Sequence, residues 1–188
     1  MTCVLCHLGK PRTTKPATQS EYGILRNRMI QSPWVALEDE DFIKKVTVEG
    51  RPFYGALMHG RDLIELQSEV AVWRTQSLVA LDFDACDISS KDMVQIFVEQ
   101  NLSPWVGYRT FSNDPVGKGG ESYRLLWKVD IDLNLTYGEC SRALKRMRSL
   151  SKERSDKFAN NPTRLWQGTN SGCFLHNPES KKVNLRSV

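Results

Sequence analysis

The sequence lacks any long hydrophobic run. Among its 188 residues, no apolar stretch approaches the roughly 18 residues that a membrane-spanning helix needs. The first residues also lack the apolar centre of a secretory signal peptide. We therefore expect a cytoplasmic protein with no membrane partner. A hydrophobic fraction of 40% and a charged fraction of 26% are typical of a globular chain that buries one sizeable core.

The cysteines do not form a disulfide framework. There are five of them, an odd number, and their spacing is irregular, which favours a reducing compartment. Cys3-Val-Leu-Cys6-His7 has the spacing of half a zinc site. No second Cys or His pair lies nearby in the sequence, so zinc is not predicted.

Positive charge is unevenly distributed along the chain. The net charge is +4, yet residues 141–188 hold eleven Lys and Arg against three Asp and Glu. A basic final quarter on a slightly acidic remainder is typical of a protein that contacts phosphates, although a solvated charged helix gives the same pattern. The candidate nucleic-acid-binding residues are Arg142, Lys145, Arg146, Arg148 and Lys152.

Two acids follow a short apolar run at residues 77–84. The run Ser-Leu-Val-Ala-Leu-Asp-Phe-Asp predicts a buried strand that ends in Asp82 and Asp84. Side chains alternate along a strand, so these two acids share one face. Mg²⁺ and Mn²⁺ prefer carboxylate oxygens and would offset the repulsion between them. The alternative is a strand end whose acids are solvated.

The order of the predicted elements indicates an α+β fold. A strand, a helix, two strands, a second helix and a short strand predict a small mixed or antiparallel sheet with flanking helices. The pair Ser89-Ser90 predicts one helix start and the Thr136–Glu139 capping box another. Residues 45–48 alternate in a way that predicts a further strand.

The expected domain organisation has three parts. Residues 1–20 show little periodicity and predict a flexible leader, residues 21–175 predict the folded domain, and residues 176–188 predict a basic tail.

An ordered set of motifs resembles the archaeo-eukaryotic primase superfamily. The resemblance is to the primase-polymerase domains of phage and plasmid replication proteins, and it covers residues 51–169. The motifs are Phe53-Tyr-Gly-Ala-Leu, Asp82-Phe-Asp84, Thr110-Phe-Ser112, Tyr123-Arg124-Leu125 and Asp156 followed by Arg164-Leu-Trp-Gln-Gly168.

The resemblance implies a fold and a chemistry. It implies a primase-polymerase core of the RRM-like type that joins nucleoside triphosphates on a single-stranded DNA template. Catalysis would use Mg²⁺ or Mn²⁺ held by Asp82, Asp84 and Asp156, with a replicative helicase as a further partner. It also implies a phage- or plasmid-encoded protein that acts in the cytoplasm of a bacterial host. The residues it assigns to the nucleotide are Ser112, Asn113, Arg124 and Arg164.

One position departs from the family pattern. Relatives usually carry a His next to the Thr-x-Ser motif, where this sequence has Asn113. Asn can donate a hydrogen bond to a phosphate but carries no positive charge. A weak polymerase, or a domain that binds without turnover, is therefore expected.

Each assigned residue has a structural alternative. Arg124 could pair with Asp130 or Asp132, Arg164 could be a surface charge, Asp156 a helix-end acid and Ser112 a loop cap.

Other classes of protein compete with this interpretation. The apolar run before Asp-x-Asp also resembles haloacid-dehalogenase-type phosphatases, but Ala85-Cys86 stands where that family has a Gly-Thr-like pair. A non-enzymatic nucleic-acid-binding replication accessory protein is the stronger alternative. The sequence has no His-x-His pair, which excludes a rolling-circle initiator.

Overall fold

The computed structural model describes residues 3–14, 16–58, 73–110 and 120–188. The strands in these ranges are β1 (Cys3–Leu8), β2 (Val35–Glu38), β3 (Phe53–Tyr54), β4 (Ala56–Met58), β5 (Trp73–Gln76), β6 (Leu78–Cys86), β7 (Val106–Arg109), β8 (Glu121–Lys128), β9 (Leu165–Trp166) and β10 (Cys173–His176). The helices are α1 (Gln19–Gln31), α2 (Asp39–Thr47), α3 (Ser90–Glu99), α4 (Tyr137–Leu150) and a 3-10 helix at Lys157–Asn160.

In the described ranges the strands form two four-stranded sheets and one two-stranded sheet. The first sheet has the order β2-β1-β3-β9, the second has the order β10-β7-β8-β6, and β4 pairs with β5. All of these pairings are antiparallel. The predicted α+β class with an antiparallel sheet is therefore confirmed.

The long pairing of β6 with β8 positions the candidate site. Both strands are buried over most of their length, as the apolar run in β6 predicts. Their register places Asp82 directly opposite Arg124. Because directly opposed residues on an antiparallel pair are close neighbours, an acidic and a basic side chain meet on the β6–β8 pair.

The helix signals in the sequence are confirmed. Ser89 caps α3 by accepting a hydrogen bond from the Asp92 amide at 3.1 Å. Thr136 and Glu139 form the reciprocal capping box of α4. The buried face of α4 consists of Cys140, Ala143, Leu144 and Met147. That spacing of three and four residues is the one expected for a helix that packs on a sheet.

Three local expectations are wrong. Residues 3–8, expected within a flexible leader, form β1 between β2 and β3. Residues 45–48, expected as a strand, lie at the end of α2, whose buried face includes Phe42, Ile43 and Val46. The C-terminal residues expected as a tail pack on the fold, since Val183 bridges to Val129 and is 5% exposed.

Among the described residues, no helix has the length and apolar character needed to cross a bilayer.

Candidate metal and nucleotide site

Three carboxylates converge at the end of β6. Asp82 is buried, Asp84 is exposed and Asp156 is half-buried, and one oxygen of each lies within 4.8 Å of the others. The convergence expected for Asp82, Asp84 and the distant Asp156 is therefore confirmed. Three carboxylates at this separation form a donor set that could bind a divalent cation.

A β-bulge shapes the strand next to the acids. The β6–β8 register shifts between Phe83 and Cys86, and Ala85 takes a left-handed φ of +47°. The Ala85 amide donates to Ser122 Oγ at 3.0 Å. A Cβ at Gly120 would lie 2.7 Å from the Ala85 carbonyl oxygen, so glycine is needed for this close approach. Bulges of this kind re-aim side chains at the ends of strands.

A backbone hydrogen bond holds Asp156 next to Asp82. Its amide donates to the Asp82 carbonyl oxygen at 2.8 Å, which fixes the 3-10 helix against β6. Its carboxylate caps that helix by accepting from the Phe158 amide at 3.0 Å. Burial raises the pKa of Asp156, but the Phe158 amide and the Arg164 guanidinium outweigh burial and hold this pKa below its ordinary value. Asp156 is therefore ionised at neutral pH.

Arg124 is a buried counter-ion of Asp82. Its Nη2 lies 2.9 Å from Asp82 Oδ1, and its Nη1 donates to Tyr108 Oη at 3.0 Å and to the Gln167 carbonyl. Burial by itself lowers the pKa of Arg124, yet the Asp82 carboxylate reverses this and holds the pKa above its ordinary value. The partner of Arg124 is thus Asp82, and the alternative pairing with Asp130 or Asp132 is wrong.

Arg164 bridges two of the acids. Its Nη1 lies 2.8 Å from Asp156 Oδ2, and its Nη2 lies 3.6 Å from Asp82 Oδ2. Trp166 supports both arginines, because the guanidinium carbons of Arg124 and Arg164 each lie 4.8 Å from its ring centroid. Arg164 is therefore part of the acidic cluster rather than an isolated surface charge.

A cavity of about 830 Å³ opens beside the acids. Asp82, Arg124 and Arg164 line it, and Arg26 of α1 contributes a third arginine. Gln167 also lines this cavity, and its side-chain amide is buried without a hydrogen-bond partner among the described residues. The cavity therefore combines positive charge with amide groups suited to a polar ligand.

Arg26 and Gln167 are site residues that the sequence did not reveal. Arg26 lies about 56 residues before the acidic strand and belongs to no recognisable motif. The only sequence signal for Gln167 is its place between Trp166 and Gly168 in the last motif.

Two of the predicted nucleotide contacts cannot be placed. Ser112 and Asn113 lie outside the described residues. Thr110, the first residue of their motif, is 5% exposed at the end of β7.

The predicted nucleic-acid-binding residues lie on and just after α4. Arg142, Lys145, Arg146 and Lys152 are exposed. Arg148 is half-buried, pairs with Glu153 and donates to the Ser155 carbonyl, so it contributes less free charge than the others.

The N-terminal Cys and His residues do not converge. Cys3 is exposed whereas Cys6 is buried, and burial raises the pKa of Cys6 to about 12. Both ring nitrogens of His7 contact the backbone, Nδ1 at Ser32 O and Nε2 at the Met58 amide. These residues therefore do not form the ligand set of a zinc site.

Comparisons with known proteins place few constraints on this chain. No protein-family model matches it, and no curated protein matches it. Among solved structures it is similar to the AEP domain of the cyanophage S-2L primase-polymerase. That similarity has a TM-score of 0.48 at 12% sequence identity, over 99% of this chain and 86% of that chain.

Proposed function

We propose that this protein is a metal-dependent nucleotidyltransferase that adds nucleotides to a strand on a single-stranded DNA template. The observation that carries the proposal is the convergence of Asp82, Asp84 and Asp156 beside a cavity with three arginines. The motif order, which resembles that of primase-polymerases, supplies the reaction class.

The three carboxylates fit a divalent cation. They are the hard oxygen ligands that Mg²⁺ and Mn²⁺ prefer, and they come from two separate elements that a backbone hydrogen bond holds together. When bound, such ions lower the pKa of an attacking 3′ hydroxyl and offset negative charge on the leaving phosphates.

Arg26 and Arg164 supply the triphosphate site. A planar guanidinium pairs with phosphate oxygens through two parallel hydrogen bonds, and Arg26, Arg124 and Arg164 all line the same cavity. Arg164 contacts one carboxylate oxygen each of Asp82 and Asp156, two of the proposed cation ligands. We infer that Arg164 exchanges these carboxylates for phosphate oxygens when the nucleotide binds.

Arg124 acts as a positioning residue. It is buried and holds Asp82 through an ion pair, with Tyr108 and the Gln167 carbonyl as further partners. This network fixes the orientation of the Asp82 carboxylate, so Asp82 has little freedom to turn away from the site.

The test is incorporation of labelled nucleotides on a primed single-stranded template. Wild-type protein is expected to extend the primer with Mn²⁺ or Mg²⁺ and not with EDTA, and Asp84→Asn is expected to abolish extension. A parallel phosphatase assay controls for the competing reaction. Absence of extension by wild type with both metals would overturn the proposal.

A second candidate function is binding without turnover. Asp82 is 4% exposed and both of its oxygens face guanidinium groups, an arrangement that stabilises the site in the absence of any cation. A replication accessory protein that binds nucleic acid on this fold would bind a labelled oligonucleotide yet show no incorporation with either metal.

The substitution Asn113→His tests the departure from the family pattern. We expect it to raise incorporation, because it restores a donor that can carry positive charge near the triphosphate. A charge-assisted hydrogen bond contributes about 1.5–3 kcal/mol, which corresponds to about ten- to a hundred-fold in rate. An unchanged or lower rate in Asn113→His would contradict this role for position 113.

A further inference from the structure

We propose that a second cavity, on the neighbouring face of helix α1, binds the phosphate backbone of single-stranded nucleic acid. This basic cavity is defined by Lys10, Arg12, Arg28 and Arg51. Binding itself is independent of catalysis, whereas the idea that the bound strand leads to the acidic cluster rests on the proposed function.

The basic cavity carries a strong positive charge. It has a volume of about 680 Å³, and four of its ten lining residues are basic while none is acidic. Glu49, which is not among the lining residues, pairs with Arg51 at 2.7 Å. Leu8, Leu25 and Met29 form its apolar part. Such a concentration of cations attracts a polyanion.

Two glycines bring the walls of the basic cavity together. The Gly9 amide donates to the Pro52 carbonyl oxygen at 2.8 Å, and a Cβ at Gly9 would lie 2.6 Å from Pro52 Cγ. Gly50 has a φ of +67°, and a Cβ there would lie 2.0 Å from the Arg12 carbonyl oxygen. The segments that carry Lys10, Arg12 and Arg51 are therefore held against each other.

Helix α1 separates the basic cavity from the cavity at the acids. Tyr22 and Arg26 line the cavity at the acids, whereas Leu25, Arg28 and Met29 line the basic cavity. Residues three or four apart share one face of a helix, so the two cavities occupy adjacent faces of α1. A strand that crosses this one helix would meet both cavities.

A second contact links the two cavities. Gly168 follows Gln167 of the cavity at the acids, and a Cβ at Gly168 would lie 2.5 Å from the carbonyl oxygen of Arg51 in the basic cavity. The segment after β9 therefore packs against the backbone of Arg51, so residues that line the two cavities are neighbours here as well as on α1.

The lining residues indicate which part of a nucleic acid is bound. Among them there is no aromatic side chain on which a base could stack. Four cations on three separate chain segments suit successive phosphates better than a single phosphate group. We therefore expect sequence-independent binding through the backbone, with strong dependence on salt.

The test is fluorescence anisotropy of a labelled oligo-dT strand in EDTA, where no transfer can occur. The variant is Lys10→Gln with Arg28→Gln, both exposed positions. Loss of two phosphate contacts should weaken binding about 25-fold at 0.1 M salt and make the log–log salt slope shallower by about 1.4. Arg74→Gln with Lys91→Gln, also exposed, removes the same charge elsewhere and should change neither quantity.

Two further arms complete the test. Lys145→Gln with Arg146→Gln reports on the α4 surface, and a loss confined to that variant would overturn the proposal. Inorganic triphosphate is the competitor that identifies a small-anion site. If low concentrations of it displace the strand completely from wild type, the cavity binds a small polyphosphate and the proposal fails. Weaker binding by the cavity variant, with or without a loss in the α4 variant, supports the proposal even where wild type shows no incorporation.

Discussion

At the scale of single residues, Asp82 and Asp84 differ sharply although they share one strand face. Asp82 is buried in an ion pair with Arg124, whereas Asp84 is exposed. Asp82→Asn should lower the free energy of unfolding by about 3–5 kcal/mol, because it leaves the Arg124 charge buried without its counter-ion. Asp84→Asn should change that free energy by about 0.5 kcal/mol or less. Urea denaturation measures both values, and equal losses would contradict this difference.

Substitution of Arg164 should change the affinity for cations and the affinity for nucleotides in opposite directions. Because its guanidinium contacts one carboxylate oxygen each of Asp82 and Asp156, two of the proposed cation ligands, Arg164→Gln removes a competing positive charge. We expect tighter Mn²⁺ binding and weaker nucleotide binding, each by about tenfold for about 1.4 kcal/mol. Calorimetric titrations measure the two affinities separately. A variant that loses both would show that Arg164 only holds the site together.

Only some of the residues of the candidate site could be predicted from the sequence. Asp82 and Asp84 were predictable because strand alternation places residues i and i+2 on one face. The approach of Asp156 depends on a backbone hydrogen bond to Asp82 across 74 residues of sequence, and only the family resemblance indicated it. Arg26 had no signal at all, since a single arginine in a mixed helix carries no periodicity.

At the scale of elements, β1 depends on a buried histidine. His7 is 1% exposed, and its ring joins β1 to Ser32 and to Met58. Burial lowers the pKa of His7, although hydrogen bonds to backbone carbonyls oppose the shift. The unfolded chain therefore binds a proton at His7 more readily than the folded chain does.

The pH dependence of stability should reveal this histidine. The neutral His7 ring contributes its full share of the unfolding free energy above the ordinary His pKa of about 6.5. That share is lost as the pH falls from about 6.5 toward the lower pKa of His7 in the folded protein, by up to about 1.4 kcal/mol per pH unit. The unfolding free energy of wild type should thus fall more steeply below pH 6.5 than that of His7→Gln. His176→Gln, at an exposed position, is the control and should follow wild type. Parallel curves for wild type and His7→Gln would contradict the prediction.

Capped helices were easier to predict than short strands. Ser89 and the Thr136–Glu139 box each satisfy backbone amides locally, so the sequence contains the whole signal. β1 gains its stability from β2 and β3, which are distant in sequence, and its apolar residues do not alternate cleanly. Residues 45–48 alternate like a strand, yet they close the apolar face of α2.

At the scale of the whole molecule, charge totals conceal local clusters. The first 140 residues carry net negative charge, yet Lys10, Arg12, Arg28 and Arg51 meet in one cavity. Counting charges along the chain identified the basic C-terminal quarter and missed this cluster, because only the fold brings its three segments together. Nucleic-acid contacts are therefore expected on two regions of the protein, the basic cavity and the exposed face of α4.

The most direct test of the central claim is a count of bound Mn²⁺ by electron paramagnetic resonance, with a nucleoside triphosphate present. Wild-type protein should reduce the signal of free Mn²⁺ stoichiometrically beyond what the nucleotide alone removes. Asp84→Asn, which keeps the buried Asp82–Arg124 pair, should lose this extra binding while it unfolds at the same urea concentration. Equal Mn²⁺ binding by the two proteins, or none by wild type, would contradict a cation site built from Asp82, Asp84 and Asp156.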